Sequence, residues 1–281
     1  MNLHIKHQLF YKYSSAVTLE AHLLYLSPRL GPYLKIQQNT FEIFPKPTSI
    51  SENIDVEGNS QHVLFFDKQP TQQLSISTEI EIQNRQDNPF NFVIYPFENQ
   101  RLPFRYPTQV QELIQPYLVR TGITEMIRNF AKQVASEVDW ESHRFFTHLN
   151  TVINKYAYQI REEGEPFSPE TVLMSKTGSC RDYVNLYMAV CRSLGVASRF
   201  VSGYFFGSAN EPQYLHAWAE VYVPGAGWRG YDPTQNSMAA DRHIPLAASA
   251  IPQRVTPVFG TFRGNASAQL STNIIIEEME V

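Results

Sequence analysis

The first third of the chain alternates apolar and polar residues in short runs. Leu74, Ile76, Thr78, Ile80 and Ile82 occupy every second position of Leu74–Gln83, and Gln38–Phe44 sets Phe41 and Ile43 against Thr40 and Glu42. A period of two sends successive side chains to opposite faces of a pleated backbone, so both runs predict half-buried strands. His4–Leu9, Leu19–Leu26 and Gln61–Phe66 follow the pattern more loosely. Ser27-Pro28, Gly31-Pro32, Pro45-Lys46-Pro47 and Glu57-Gly58-Asn59 interrupt the runs with residues that suit turns. Short strands punctuated in this way predict a β-sandwich-like domain over residues 1–88.

Residues 89–120 are aromatic, proline-rich and irregular, and read as a linker packed onto one or both domains. The period then changes. Within Glu125–Val138, Ile127, Phe130, Ala131 and Val134 recur at helical spacing. Thr147–Arg161 predicts a second helix, and Ser168-Pro169-Glu170 opens a short helical turn. Arg181–Leu194 carries Val184, Tyr187, Met188, Cys191 and Leu194 on one face, with Gly195 placed to end the helix. Ala197–Phe205, His216–Val223 and Trp228–Tyr231 read as strands, the last two joined by a turn at Pro224-Gly225-Ala226-Gly227. Thr256–Arg263 and Thr272–Glu278 read as late strands. Helices followed by an antiparallel sheet predict an α+β domain over residues 121–281.

Composition narrows the function classes. The 281 residues are 43% hydrophobic and 18% charged, with a net charge of −4, which suits a two-domain folded chain. Its basic residues are scattered, which argues against a nucleic-acid partner. No apolar run approaches the roughly 18–20 residues of a membrane helix. The opening MNLHIKHQLF lacks the apolar stretch and cleavage site of an export signal, so the expected location is cytoplasmic. Two cysteines make no disulfide framework. No metal site is expected: His4 and His7 fall on opposite faces of a predicted strand, and His143 and His148 lack companion ligands. Phosphate loops and dinucleotide glycine patterns are absent from the sequence, and no cofactor is implied.

The chemistry centres on Cys180. It follows Thr177-Gly178-Ser179 and opens the predicted helix, whose positive end favours a thiolate. Gly178 would let the backbone approach a substrate closely. A thiolate catalyst needs a base that also returns the proton, and His216, at the start of a predicted strand, is the candidate. Asp232 is the candidate for holding the other imidazole nitrogen. It lies sixteen residues after His216, with the hairpin turn between them, so the two strand ends come side by side.

Three blocks carry a resemblance. They are Gly178-x-Cys180-x-Asp182 with Cys191-Arg192-x-Leu194-Gly195-Val196, then His216-Ala217-Trp218-x-Glu220-Val221-Tyr222, then Gly227-Trp228-x-x-Tyr231-Asp232-Pro233-Thr234. In this order they resemble the transglutaminase-like superfamily, and most closely its bacterial cysteine-protease-like branch. Asp241-Arg242-His243-Ile244 and Pro257-x-Phe259-Gly260-x-Phe262-Arg263-Gly264 are similar to the segment after the core in that branch. Tyr11-Lys12-Tyr13, Leu26-Ser27-Pro28-Arg29 and Asp55-x-x-Gly58-Asn59 are similar to its β-rich N-terminal domain. The resemblance implies a papain-like core with Cys180 as nucleophile, His216 as base and acid, and Asp232 as orienter. It also implies a protein or peptide substrate and hydrolysis of an amide through a thioester. Acyl transfer to an amine, or a non-catalytic binding module, are the rival readings.

The remaining residues are assigned more modestly. The Cys180 N–H is one expected oxyanion donor; Tyr156, Tyr158 and Trp140 are candidates for the second. Cys191 reads as core, Asp182 as a helix cap and His243 as structural. Trp218, Trp228, Tyr183 and Tyr204 are undecided between cleft and packing.

Overall fold

The structure, a computed structural model, describes residues 1–161, 164–208 and 213–279. Five strands come first: β1 (Asn2–Leu24), β2 (Leu34–Phe44), β3 (Ser49–Ile54), β4 (Ser60–Phe65) and β5 (Thr71–Asn84). Helices α1 (Thr108–Ile114), α2 (Glu125–Ser136) and α3 (Ser142–Asn154) come next, then β6 (Ala157–Tyr158), α4 (Pro169–Ser175), β7 (Thr177–Gly178) and α5 (Cys180–Ser193). The chain continues through β8 (Ser198–Phe205), β9 (Leu215–Val223), β10 (Gly227–Asp232), β11 (Ser237–Met238), β12 (His243–Ser249), β13 (Val258–Arg263) and β14 (Ala268–Glu278).

β1 organises the first domain. Its first half lies between β5 and β14, and its second half between β4 and β13. β2 extends the first layer beyond β5, and β3 the second beyond β4. The pairing with β5 slips between Lys12 and Val17, where β1 passes from one layer to the other. The result is a curled, seven-stranded antiparallel sheet. Leu9, Leu74 and Ile76 from one layer meet Leu19, Leu24 and Leu64 from the other in its core.

This arrangement corrects several expectations. The two strands expected at residues 4–9 and 19–26 are one 23-residue strand, because alternation persists through Tyr11 and Tyr13. β3 has no buried position, so it offers no periodic signal. β13 and β14, expected within a domain over 121–281, pair with β1 instead. Local pattern identifies these strands but not the distant partner that lacks a neighbour. The helix expected over Thr147–Arg161 begins at Ser142 and stops at Asn154, and Ala157–Tyr158 pairs with β7. In the expected linker, Ile94, Leu102, Phe104 and Ile114 are buried, the first three in the core of the second domain, and Thr108–Ile114 is helical.

The second domain is a five-stranded antiparallel sheet in the order β11-β10-β9-β8-β12, with α5 packed on it. Val184, Tyr187, Met188 and Cys191 of α5 share one buried cluster with Phe200, Ala217, Ala219 and Val221 of the sheet. Tyr204, Phe206, Ile244 and Leu246 join this domain to Leu3, Ile5, Ile80 and Ile276 of the first. Within that seam His7 meets the Tyr204 hydroxyl at 3.0 Å and Thr272 Oγ1 at 3.1 Å. Burial lowers its pKa to about 4, so its imidazole is neutral at pH 7.

Gly203 makes room for this packing. A methyl there would overlap the Ile244 carbonyl oxygen and sit 2.7 Å from Trp218 Cη2. A backbone oxygen held in the β8–β12 ladder has nowhere to go. Gly203→Ala is expected to lower stability by about 3 kcal/mol, read as a fall in the urea midpoint. An unchanged midpoint would contradict this packing argument.

Candidate active site

The start of α5 is fixed by Asp182. Its carboxylate accepts the Ser179 N–H at 2.8 Å, the Ser179 hydroxyl at 2.7 Å and the Phe167 N–H at 2.7 Å. Arg161 Nη1 donates to both carboxylate oxygens, at 2.8 and 2.9 Å, and its guanidinium lies 3.6 Å over the Phe167 ring. Asp182 has no solvent exposure. Burial pushes its pKa upward, but these donors outweigh it and hold the carboxyl below its ordinary value. The expected cap is thus present, and it also ties the segment before α4 to the helix. Gly178, expected from sequence to admit a substrate, instead admits Asp182, whose Cβ would lie 2.8 Å from an added Cβ.

Cys180 is the first residue of α5 and is partly exposed, whereas Cys191 is fully buried in the core. Burial drives the Cys191 thiol well above its usual pKa. His216 Nε2 meets Asp232 Oδ2 at 2.6 Å, joining the start of β9 to the end of β10 as the hairpin spacing predicts. The Cys180 thiol is close enough to His216 to act on the charge of its imidazole. With Nε2 committed to Asp232, Nδ1 is the nitrogen left for sulfur. Burial alone would lower the His216 pKa. The charge and hydrogen bond of Asp232, helped by Cys180, reverse the sign and raise it to about 10. For Asp232 burial acts upward, and His216 and His243 overcome it, holding the carboxyl far below its usual range.

Asp232 is fully enclosed. Oδ1 accepts the N–H groups of Thr234 at 2.9 Å and Gln235 at 3.1 Å, while Oδ2 is shared by His216 and by His243 Nε2 at 3.1 Å. The Trp218 ring lies against both imidazoles. It stacks on His216 with centroids 6.4 Å apart and meets His243 edge-on at 5.1 Å. Gly203 and Gly230 leave space for that ring. Trp218 is therefore packing that supports the site.

Of the three candidates for a second oxyanion donor, Tyr158 is beside Cys180: it pairs with Gly178 across β6–β7, and its hydroxyl is close enough to Cys180 to feel that residue's charge. Burial first, and then the neighbouring Cys180, push its pKa up, so the hydroxyl keeps its proton. Tyr156 packs on Tyr183, and Trp140 packs against the helical core, its carbonyl accepting the Leu102 N–H. Tyr204 is at the domain seam, and Trp228 lies under the Arg199 guanidinium at 4.1 Å. His148 pairs with Glu137 at 2.8 Å. Among the described residues, no three His, Cys, Asp or Glu side chains form a group that could hold a metal ion.

Comparison with known proteins agrees with the motifs. Residues 128–233 match the transglutaminase-like superfamily, and residues 3–83 match the bacterial transglutaminase-like N-terminal region. A candidate cysteine protease from Cytophaga hutchinsonii has the same fold: the TM-score is 0.73 at 17% identity, covering 100% of this chain and 92% of that one. The uncharacterized protein Rv2569c of Mycobacterium tuberculosis is 24% identical over 297 residues, covering 93% of this chain and 88% of that protein. The uncharacterized protein ML0607 of Mycobacterium leprae is 23% identical over 283 residues, covering 98% and 97%. This chain thus carries a transglutaminase-like core domain behind a bacterial transglutaminase-like N-terminal region, folded as a cysteine-bearing helix on an antiparallel sheet.

Proposed function

We propose that the protein is a thiol-dependent hydrolase of amide bonds in protein or peptide substrates. One observation carries the reading: His216, hydrogen-bonded to a buried Asp232 at 2.6 Å, lies near the thiol at the first turn of α5. The name of the Cytophaga relative favours peptide bonds as the target.

The reaction is built from these groups. The Cys180 sulfur attacks the substrate carbonyl carbon as a thiolate. In this reading the developing oxyanion receives hydrogen bonds from the Cys180 N–H and from Tyr158, the candidate nearest Cys180. As the C–N bond breaks, protonated His216 gives its Nδ1 proton to the leaving amine, and a thioester remains. Neutral His216 next takes a proton from water, whose oxygen adds to the thioester carbonyl. Collapse releases the carboxylic acid and returns the thiolate and the imidazolium. Asp232 keeps Nε2 protonated and balances the charge at each step.

Labelling of the native protein with iodoacetamide tests the nucleophile. Cys180 is expected to react at least about tenfold faster than Cys191 at pH 7, and His216→Ala to slow it. Equal rates at the two cysteines would overturn the reading. With denatured casein as substrate, new amino termini should accumulate with wild-type protein and not with Cys180→Ala. Incorporation of a dansylated amine in place of cleavage would reassign the reaction to acyl transfer.

A further inference from the structure

His243 has a polar commitment that packing does not require. It opens β12, at the far edge of the sheet from β11, and the loop before it folds back toward Asp232. Several hydrogen bonds hold it there. The His243 N–H donates to the Ala240 carbonyl at 3.0 Å, and the Phe206 N–H to the Arg242 carbonyl at 3.0 Å. Asn84, at the end of β5, donates to the His243 carbonyl at 3.2 Å. The residue is 5% exposed, and its ring lies against Phe205 and Trp218. A phenylalanine or leucine would fill such a space without the cost of burying two ring nitrogens.

Those nitrogens have defined roles. Nδ1 accepts the Ala240 N–H at 3.3 Å, so the proton of the neutral ring is on Nε2. Nε2–H therefore donates to Asp232 Oδ2, the oxygen that also faces His216. We infer that His243 is a positioning residue, whose Nε2–H fixes Asp232 Oδ2 where that oxygen serves the His216 imidazole. The inference rests on the thiol–imidazole reading above and adds a fourth side chain to it.

The charged and titratable neighbours are few. Asp232 on β10, His216 on β9 and Asp241 in the preceding loop act on His243, while β8 contributes the uncharged Phe205. Burial lowers the His243 pKa, and Asp232 only partly offsets this, so the ring stays neutral and keeps its donor at pH 7. Removing the donor frees Oδ2 to swing from His216. The imidazolium should then lose its proton at a lower pH.

The test measures Cys180 alkylation against pH in wild type, His243→Phe and His243→Gln, and in the same His243 changes made on Asp232→Asn. His243→Phe is expected to bring the alkaline limb of the His216-dependent profile down by about one pH unit, a tenfold loss on that limb. His243→Gln, which supplies an amide donor, should restore most of it. On the Asp232→Asn background His243→Phe should change nothing further, because its effect runs through that carboxylate. An unmoved limb in His243→Phe, or equal losses on both backgrounds, overturns the inference. Nitrogen NMR of wild-type protein gives a check that needs no variant: His243 should carry its proton on Nε2, and a proton on Nδ1 alone would refute the assignment. If wild-type labelling is indifferent to His216→Ala, the thiol–imidazole reading itself fails. If it depends on His216 but not on His243, only the present inference does.

Discussion

Asp232→Asn should leave a folded protein whose turnover at pH 7 falls by about three orders of magnitude or more. An asparagine fits the same space, and its Oδ1 can still accept from Thr234 and Gln235. It carries no charge, however, and its amide is as ready to donate to His216 Nε2 as to accept from it. The imidazole then turns up in the wrong tautomer for sulfur. The pH dependence should change in a defined direction. In the wild type the His216 pKa is about 10, held above the unfolded value of 6.5 chiefly by Asp232 against the pull of burial. Without the carboxylate, burial is opposed only by Cys180 and the pKa falls, taking the alkaline limb of activity with it. Stability has the same sign. A pKa raised in the folded state contributes stability that is complete below pH 6.5 and disappears as pH rises through about 10. Wild-type urea midpoints should therefore decline between pH 7 and about 10, and those of Asp232→Asn should decline less. Unchanged turnover, or parallel pH curves, would exclude Asp232 from the role assigned here.

Asp182→Ala should cost about 3–5 kcal/mol and abolish rapid labelling of Cys180. The substitution removes the acceptor for the Ser179 and Phe167 N–H groups and strips the buried end of Arg161 of its counter-charge. Breaking one side of a buried, hydrogen-bonded pair leaves the other uncompensated, which costs more than an exposed ion pair ever contributes. The loss is structural first. The segment preceding α4 is no longer tied to the helix, and the first turn that orients Cys180 loosens. Because the Asp182 pKa is depressed on folding, its contribution is present above the ordinary carboxylate range and is lost as pH falls through the folded value. The gap between wild type and variant in urea midpoint should narrow in acid. A loss under about 1 kcal/mol at pH 7 would show that the carboxylate only decorates the helix start.

The parts of this protein that are legible in its sequence are those fixed by local periodicity or by short spacing. Strand β5 and helix α5 announce themselves through periods of two and 3.6, and the sixteen-position step from His216 to Asp232 spans one hairpin. Tyr158 is only one of three candidates in the sequence, because the pairing of β6 with β7 that sets it beside Cys180 involves only two residues each. Such a pairing has no periodicity to detect. His243 reads as structural in the sequence because its partner is across the sheet, and only the fold brings β12 back to Asp232. The Asp241-Arg242-His243-Ile244 block is the available signal. β3 is silent for another reason: every one of its positions is exposed. Membership of β13 and β14 in the first domain depends on which edge of β1 is vacant, information that no local window contains.

That last pairing bears on how the protein is made. β1 needs β14 along its first half, from Leu3 opposite Glu278 to Tyr13 opposite Ala268, so this strand partner is synthesised only after the whole helix-on-sheet core. The helix-on-sheet core is thus an insertion between the early and late strands of the first domain. During translation the core can close around α5 while β1 still waits with an open edge, apolar on the face that later buries Leu3 and Ile5. The topology thus allows the thiol-bearing helix to be in place before the domain that precedes it in the sequence is complete.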